Sequence, residues 1–111
     1  MKIIEVPKDI TLKVVTRDGQ DATEEISFKK FVTQHVDAYS GEWAKTLTQL
    51  RQIQAIVDII EKGNGTIVFD RADDFEIYEA ALKAIRYKGS IGRQLLPFYE
   101  AALKVEEVKK S

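Results

Sequence analysis

The chain has one histidine, His35, among Phe28, Phe31, Val32, Val36 and Tyr39, which recur at three- and four-residue steps. Histidine titrates near neutrality, so His35 is the first residue to consider for acid–base chemistry or a pH-dependent contact. A single histidine excludes histidine triads and multi-histidine metal sites. On an apolar helical stripe it reads first as a hydrogen-bonded packing residue. Asp70, Asp73, Asp74 and Glu76 form the densest acidic cluster. Their oxygens suit calcium or magnesium, but a twelve-residue calcium loop counted from Asp70 would need glycine and glutamate where Phe75 and Ala81 stand. The simpler reading is a helix start, where carboxylates complement the dipole and cap free amides.

Arg86, Tyr87, Lys88 and Arg93 surround Gly89-Ser90 and mix positive charge with an aromatic ring. Such a set is compatible with a phosphate, single-strand or partner contact. Basic residues also gather where a helix ends, for electrostatic reasons alone. Gly63-Asn64-Gly65 precedes a strand-like run, whereas nucleotide-binding glycine loops follow a strand and open a helix. Ser27, Ser40 and Ser90 stand at helix starts without the flanking glycines of a nucleophile elbow, and read as caps. No catalytic residue, metal ligand or cofactor site is assigned. Trp43, Leu96, Phe98 and Tyr99 are the candidate protein-interface residues, because aromatic side chains favour interfaces and the stripes that carry these four are broad.

The elements that must position these residues follow from periodicity. Ile10, Leu12 and Val14 alternate with Thr11 and Lys13, and a second strand is expected from Ala22 to Phe28. Between them, Arg17-Asp18-Gly19-Gln20 signals a hairpin. A two-residue turn would set the two apolar faces on opposite sides. A three-residue loop with Gly19 left-handed instead pairs Thr16 with Gln20, Val14 with Ala22 and Ile10 with Ile26. A short edge strand is expected at Ile3 to Val6, ended by Pro7. Helix one carries the His35 stripe behind the Ser27 cap and breaks at Ser40-Gly41. Helix two carries Trp43, Leu47, Leu50, Ile53, Ile56, Val57 and Ile60 inward, with Ala44, Ala55 and Ile59 broadening its stripe, and stops at the left-handed Gly63 region. Thr66 to Phe69 is a strand. Helix three begins at the acidic cluster, turns Phe75, Tyr78, Leu82 and Ile85 inward and closes at Gly89. Helix four carries Ile91, Leu95, Phe98, Ala102 and Val105 to about Glu106, with Pro97 kinking it or starting its main part.

The expected fold is therefore α+β: an N-terminal hairpin with a short edge strand, then about four helices, with one short strand between helices two and three. Residues 1–106 form a single domain and 107–111 a frayed tail. The 111 residues, 44% apolar and 32% charged, suit one globular unit. Seventeen basic and eighteen acidic residues give a formal charge of −1, which argues against nucleic acid as the main partner. No cysteine is present, so thiolate catalysis, disulfides and cysteine metal sites are excluded. Met1-Lys2-Ile3-Ile4-Glu5 turns polar before a signal-peptide core could form, and no apolar run approaches the roughly 20 residues of a membrane span.

Three segments resemble small proteins from the morphogenesis region of tailed bacteriophages. They are Lys2-Ile3-Ile4-Glu5-Val6-Pro7 with Ser27-Phe28-Lys29-Lys30-Phe31, then Gly65-Thr66-Ile67-Val68-Phe69-Asp70, then Ile91-Gly92-Arg93-Gln94-Leu95-Leu96-Pro97-Phe98-Tyr99. The resemblance implies a neck, tail or head accessory component, or an assembly factor, acting through protein contacts. No functional residue is carried over from it. The expectation is a non-enzymatic viral structural or assembly protein that forms a homo-oligomer or docks on a larger particle, in the host cytoplasm or the virion. The alternatives are a small cytoplasmic inhibitor of a host factor, and a weak nucleic-acid-binding accessory protein using Arg86, Lys88 and Arg93.

Overall fold

The computed structural model describes residues 1–107. The hairpin forms as its sequence dictates. β1 (Lys2–Glu5) precedes it, and β2 (Ile10–Val15) pairs antiparallel with β3 (Asp21–Ile26), with Ile10 opposite Ile26 and Val14 opposite Ala22. The turn closes through Thr16 N–H to Gln20 O at 2.9 Å and Gly19 N–H to Thr16 O at 2.9 Å. Gly19 has a φ of 76°, a conformation that residues with a Cβ rarely adopt. This is the three-residue loop that keeps both apolar faces on one side, and it places Leu12 and Ile26 in the core.

The remaining elements are α1 (Phe28–Trp43), α2 (Leu47–Lys62), β4 (Thr66–Phe69), α3 (Ala72–Lys83), α4 (Gly89–Gln94), α5 (Leu96–Leu103) and β5 (Glu106–Glu107). The α+β architecture is as expected, with β4 between α2 and α3. The role of β1 is not. It adds nothing to the hairpin; it is the central strand of a second sheet, ordered β4-β1-β5 and antiparallel throughout. Ile4 and Ile67 face each other across β1 and β4, both fully buried, so the expected edge strand is a core strand. Pro7 does lie beyond the ladder, whose last bond is Val6 N–H to Gly65 O at 3.0 Å.

Several helix boundaries move. α1 runs through Ser40-Gly41 to Trp43, with Tyr39 and Trp43 stacked at 6.0 Å on consecutive turns. Trp43 therefore ends α1 and does not start α2. α2 begins behind Thr46, whose hydroxyl accepts from Gln49 N–H while the Gln49 side chain accepts from Thr46 N–H. This reciprocal cap satisfies two donors that the helix start leaves unpaired. At its other end Gly63 has an ordinary φ of −61°, and the left-handed residue is Gly65 at 78°. α3 stops at Lys83 and not at Gly89, which opens α4. The final helix is two, since the backbone leaves helical geometry at Leu95 and Pro97 falls in the first turn of α5. α5 ends at Leu103. Glu106 and Glu107 pair with Ile3 and Lys2, and Lys2 Nζ lies 3.4 Å from Glu107 Oε2. The expected tail from residue 107 lies outside the described residues beyond Glu107.

α1 is the hub of the core. It packs against α2, α3 and α5, while α2 and α3 cover β4 and α5 covers β1. Phe28, Phe31, Phe98 and Tyr99 interlock, with Phe98 edge-on to Phe28 at 5.5 Å and Tyr99 edge-on to Phe31 at 4.9 Å. Each such ring removed from water contributes about 1.5–3 kcal/mol, so this aromatic set fixes α5 on α1. A second set, Phe69, Phe75 and Tyr78, joins α3 to β4. The hairpin leans on α4. Lys13 N–H donates to Gln94 Oε1 at 2.7 Å and Gln94 Nε2 donates to Lys13 O at 3.0 Å, so one side-chain amide replaces a neighbouring strand at that residue. The molecule measures 53 × 33 × 20 Å, with a radius of gyration of 15.1 Å. A compact domain of this length has about 13 Å. The chain is thus elongated.

Candidate functional site

Residues 84–88 connect α3 to α4 without helical structure, and a chain of hydrogen bonds from the core holds them. His35 is 1% exposed. Its Nδ1 lies 2.9 Å from Phe31 O, an atom that can only accept, which assigns the ring proton to Nδ1. Nε2 is then an acceptor, and the Tyr99 hydroxyl donates to it at 2.8 Å. The Tyr99 oxygen in turn accepts from Arg86 N–H at 3.3 Å and Tyr87 N–H at 3.5 Å. Each donor in this chain faces an acceptor, so the His35 ring, the Tyr99 hydroxyl and the two connector amides satisfy one another.

Electrostatics keep the imidazole neutral. Burial lowers the His35 pKa below its ordinary value, the bond to Phe31 opposes that, and the Arg86 charge lowers it further. Arg86 Nη1 lies 3.6 Å from Glu42 Oε1 on α1, while its Nε and Nη2 are buried without a hydrogen-bond partner among the described residues. The Tyr87 hydroxyl donates to Gln34 Oε1 at 2.8 Å, and its ring stacks on Phe31 at 6.2 Å. Burial first, then Tyr99 and Glu24, raise the Tyr87 pKa.

On the outer side of this network lies a shallow apolar cavity of about 280 Å³. Its walls are Ile85, Tyr87, Leu96 and Tyr99, with Arg93 at the rim and the backbone at Gly89 and Gly92 completing it. Ile85 is 63% and Leu96 52% exposed, so two large apolar side chains stand open to water across the cavity.

The structure brings together only part of the residues singled out in the sequence. Leu96, Tyr99 and Arg93 meet at the cavity. Arg86 and Lys88 lie in the adjoining connector, so neither sits in the last turn of α3. Phe98 is fully buried against Phe28 and Phe31 and is a core residue, which corrects its assignment to an interface. Tyr99 keeps one ring edge at the cavity but is 6% exposed, and its main role is internal. Trp43 is half-buried on Tyr39, away from the cavity walls. Ile85 was expected inside helix three and is instead an exposed wall residue, because α3 ends before it. Leu47 and Leu50, also expected inward, are exposed near the start of α2. The acidic cluster is divided: Asp74 is 6% exposed and accepts from Gln52 Nε2 at 3.4 Å, while Asp73 pairs with Arg71 at 3.2 Å. Among the described residues, no group of three or more histidine, aspartate or glutamate side chains converges in metal-binding geometry. No helix there is long and apolar enough to cross a membrane. No protein-family model, curated protein or solved structure matches this chain.

Proposed function

We propose that the chain is a non-enzymatic structural or assembly protein of a tailed bacteriophage, working by contact with copies of itself or with a larger particle. The observation that carries the reading is the pair Ile85 and Leu96, held open to solvent on the walls of one cavity that Arg93 also lines. Covering the exposed half of each of these two side chains is worth about 1 kcal/mol, an energy that association recovers. The connector that presents Ile85 is fixed by the His35 and Tyr99 network, so the surface is preorganised and association meets little ordering cost. The polar atoms of His35 and Tyr99 are engaged within the protein, and what this region turns outward is apolar surface beside Arg93. The viral assignment rests on the resemblance of the three segments quoted above.

Native molar mass measured by light scattering over a wide concentration range tests the reading. The expected result is a discrete species heavier than one chain. A mass of one chain at every concentration, together with failure to cosediment with phage particles, sinks it.

A further inference from the structure

We propose that the cavity between Ile85 and Leu96 receives the β2–β3 hairpin tip of a second copy of this chain, with Val15 as the inserted side chain. The inference rests on the self-association proposed above and names the two surfaces that meet.

Val15 is 72% exposed, the most exposed of the large apolar residues among those described. It ends β2 beside the Gly19 turn, at the tip of a hairpin whose other end buries Leu12 and Ile26 and whose β2 edge leans on α4 through Gln94. A two-stranded arm of this kind reaches a neighbour without disturbing its own core. The cavity, at about 280 Å³, has room for an isopropyl group and the backbone that carries it.

Charge selects this occupant over the other exposed apolar groups. Of the residues lining the cavity Arg93 carries the charge; Lys88 stands in the connector beside it, Arg86 is paired with Glu42, and Glu100 follows Tyr99. Residues 9–26, the hairpin, contain Asp9, Asp18, Asp21, Glu24 and Glu25 against Lys13 and Arg17. The cavity thus presents the Arg93 cation to a hairpin whose net charge is −3. Asp21 is the cross-strand partner of Val15, so insertion of Val15 carries a carboxylate to the rim where Arg93 stands. Leu47 and Leu50 are flanked by Lys45 and Arg51, which repel the same rim. Two cavities facing each other would oppose Arg93 to Arg93. Complementary potentials steer association, and like-charge contacts suppress the wrong pairings.

Hairpin and cavity are different surfaces of one chain, so the contact is head-to-tail. Each copy offers a hairpin to one neighbour and a cavity to another, and the assembly grows until a ring closes.

Val15→Glu and Leu96→Glu test this, since both positions are exposed and circular dichroism verifies that the fold is kept. Native mass spectrometry of each variant alone is expected to show single chains, with the wild type larger. An equimolar mixture is expected to form a species of two chains and nothing larger. The Leu96→Glu hairpin still fits the Val15→Glu cavity, and the two surfaces left over are both blocked. An assembly that survives either substitution, or a mixture that stays as single chains, overturns the hairpin-in-cavity contact and leaves self-association standing. A wild type that is a single chain at every concentration overturns both.

Discussion

The Tyr99 hydroxyl donates to His35 Nε2 at 2.8 Å across a separation of 64 residues in sequence. That bond uses the tautomer set by Phe31 O, ties α5 to α1 and leaves the Tyr99 oxygen free to hold two amides of the 84–88 connector. Removing the hydroxyl strands Nε2 and both amides. Tyr99→Phe is therefore expected to lower stability by about 1–3 kcal/mol, seen as a lower urea midpoint with an unchanged slope. An unaltered midpoint would show that the network contributes nothing.

The same bond makes stability depend on pH in a definite direction. Unfolded, His35 titrates near its ordinary value of 6.5; folded, burial lowers it. The unfolded chain then binds the extra proton first, so the contribution of neutral His35 is full above about 6.5 and is lost as pH falls through the lowered folded value. Protonated Nε2 would also need an acceptor, and the Tyr99 oxygen already accepts two N–H groups. Urea unfolding from about pH 8 to about pH 5 should show a steeper loss of stability for the wild type than for His35→Gln. Parallel curves for the two proteins would contradict this.

Two glycines should respond in opposite senses to alanine. Gly41 is helical, exposed and has open space where a Cβ would go, so Gly41→Ala is expected to stabilise by about 0.5–1 kcal/mol. At Gly63 an added Cβ would strike the Thr66 carbonyl oxygen and crowd Ile67, a core residue of β4. Gly63→Ala is expected to destabilise by about 1–3 kcal/mol. Thermal unfolding of both variants against wild type reads the two signs, and shifts in the same direction would refute the assignment.

Gln94 stands in for a strand at the outer edge of β2. Gln94→Ala should speed amide exchange of Lys13 several-fold, in line with about 1 kcal/mol for the lost bond. Exchange at Ala22, whose N–H faces Val14 within the hairpin ladder, serves as control. Equal acceleration at both positions would mean that the whole hairpin had loosened.

What the sequence made legible was local. The hairpin register follows from strand alternation and one glycine, and the helical stripe of α1 from a repeated step, because each signal lies within a few residues of its effect. Gly41 misled because a glycine penalty of about 1 kcal/mol is outweighed when Tyr39 and Trp43 stack across the same turn. Ile85 misled because Tyr99, on α5, holds the backbone of residues 86 and 87 outside a helix, a contact made across a further helix and not by neighbours in the chain. At the site, Leu96, Arg93 and Tyr99 were recognisable as types. Their meeting at one cavity, and the burial of Phe98 beside them, depend on how α5 docks on α1. The position of β1 is the plainest such case, since neither of its sheet neighbours is near it in the chain.

That position also governs how the protein is made. As the chain leaves the ribosome, β2 and β3 can zip together at once, but β1 has no neighbour until Thr66–Phe69 has emerged, and its second edge waits for Glu106–Glu107. Through the synthesis of the hairpin and of both long helices Ile4 is thus an apolar residue without its sheet, and the second sheet is completed some hundred residues after its central strand is made.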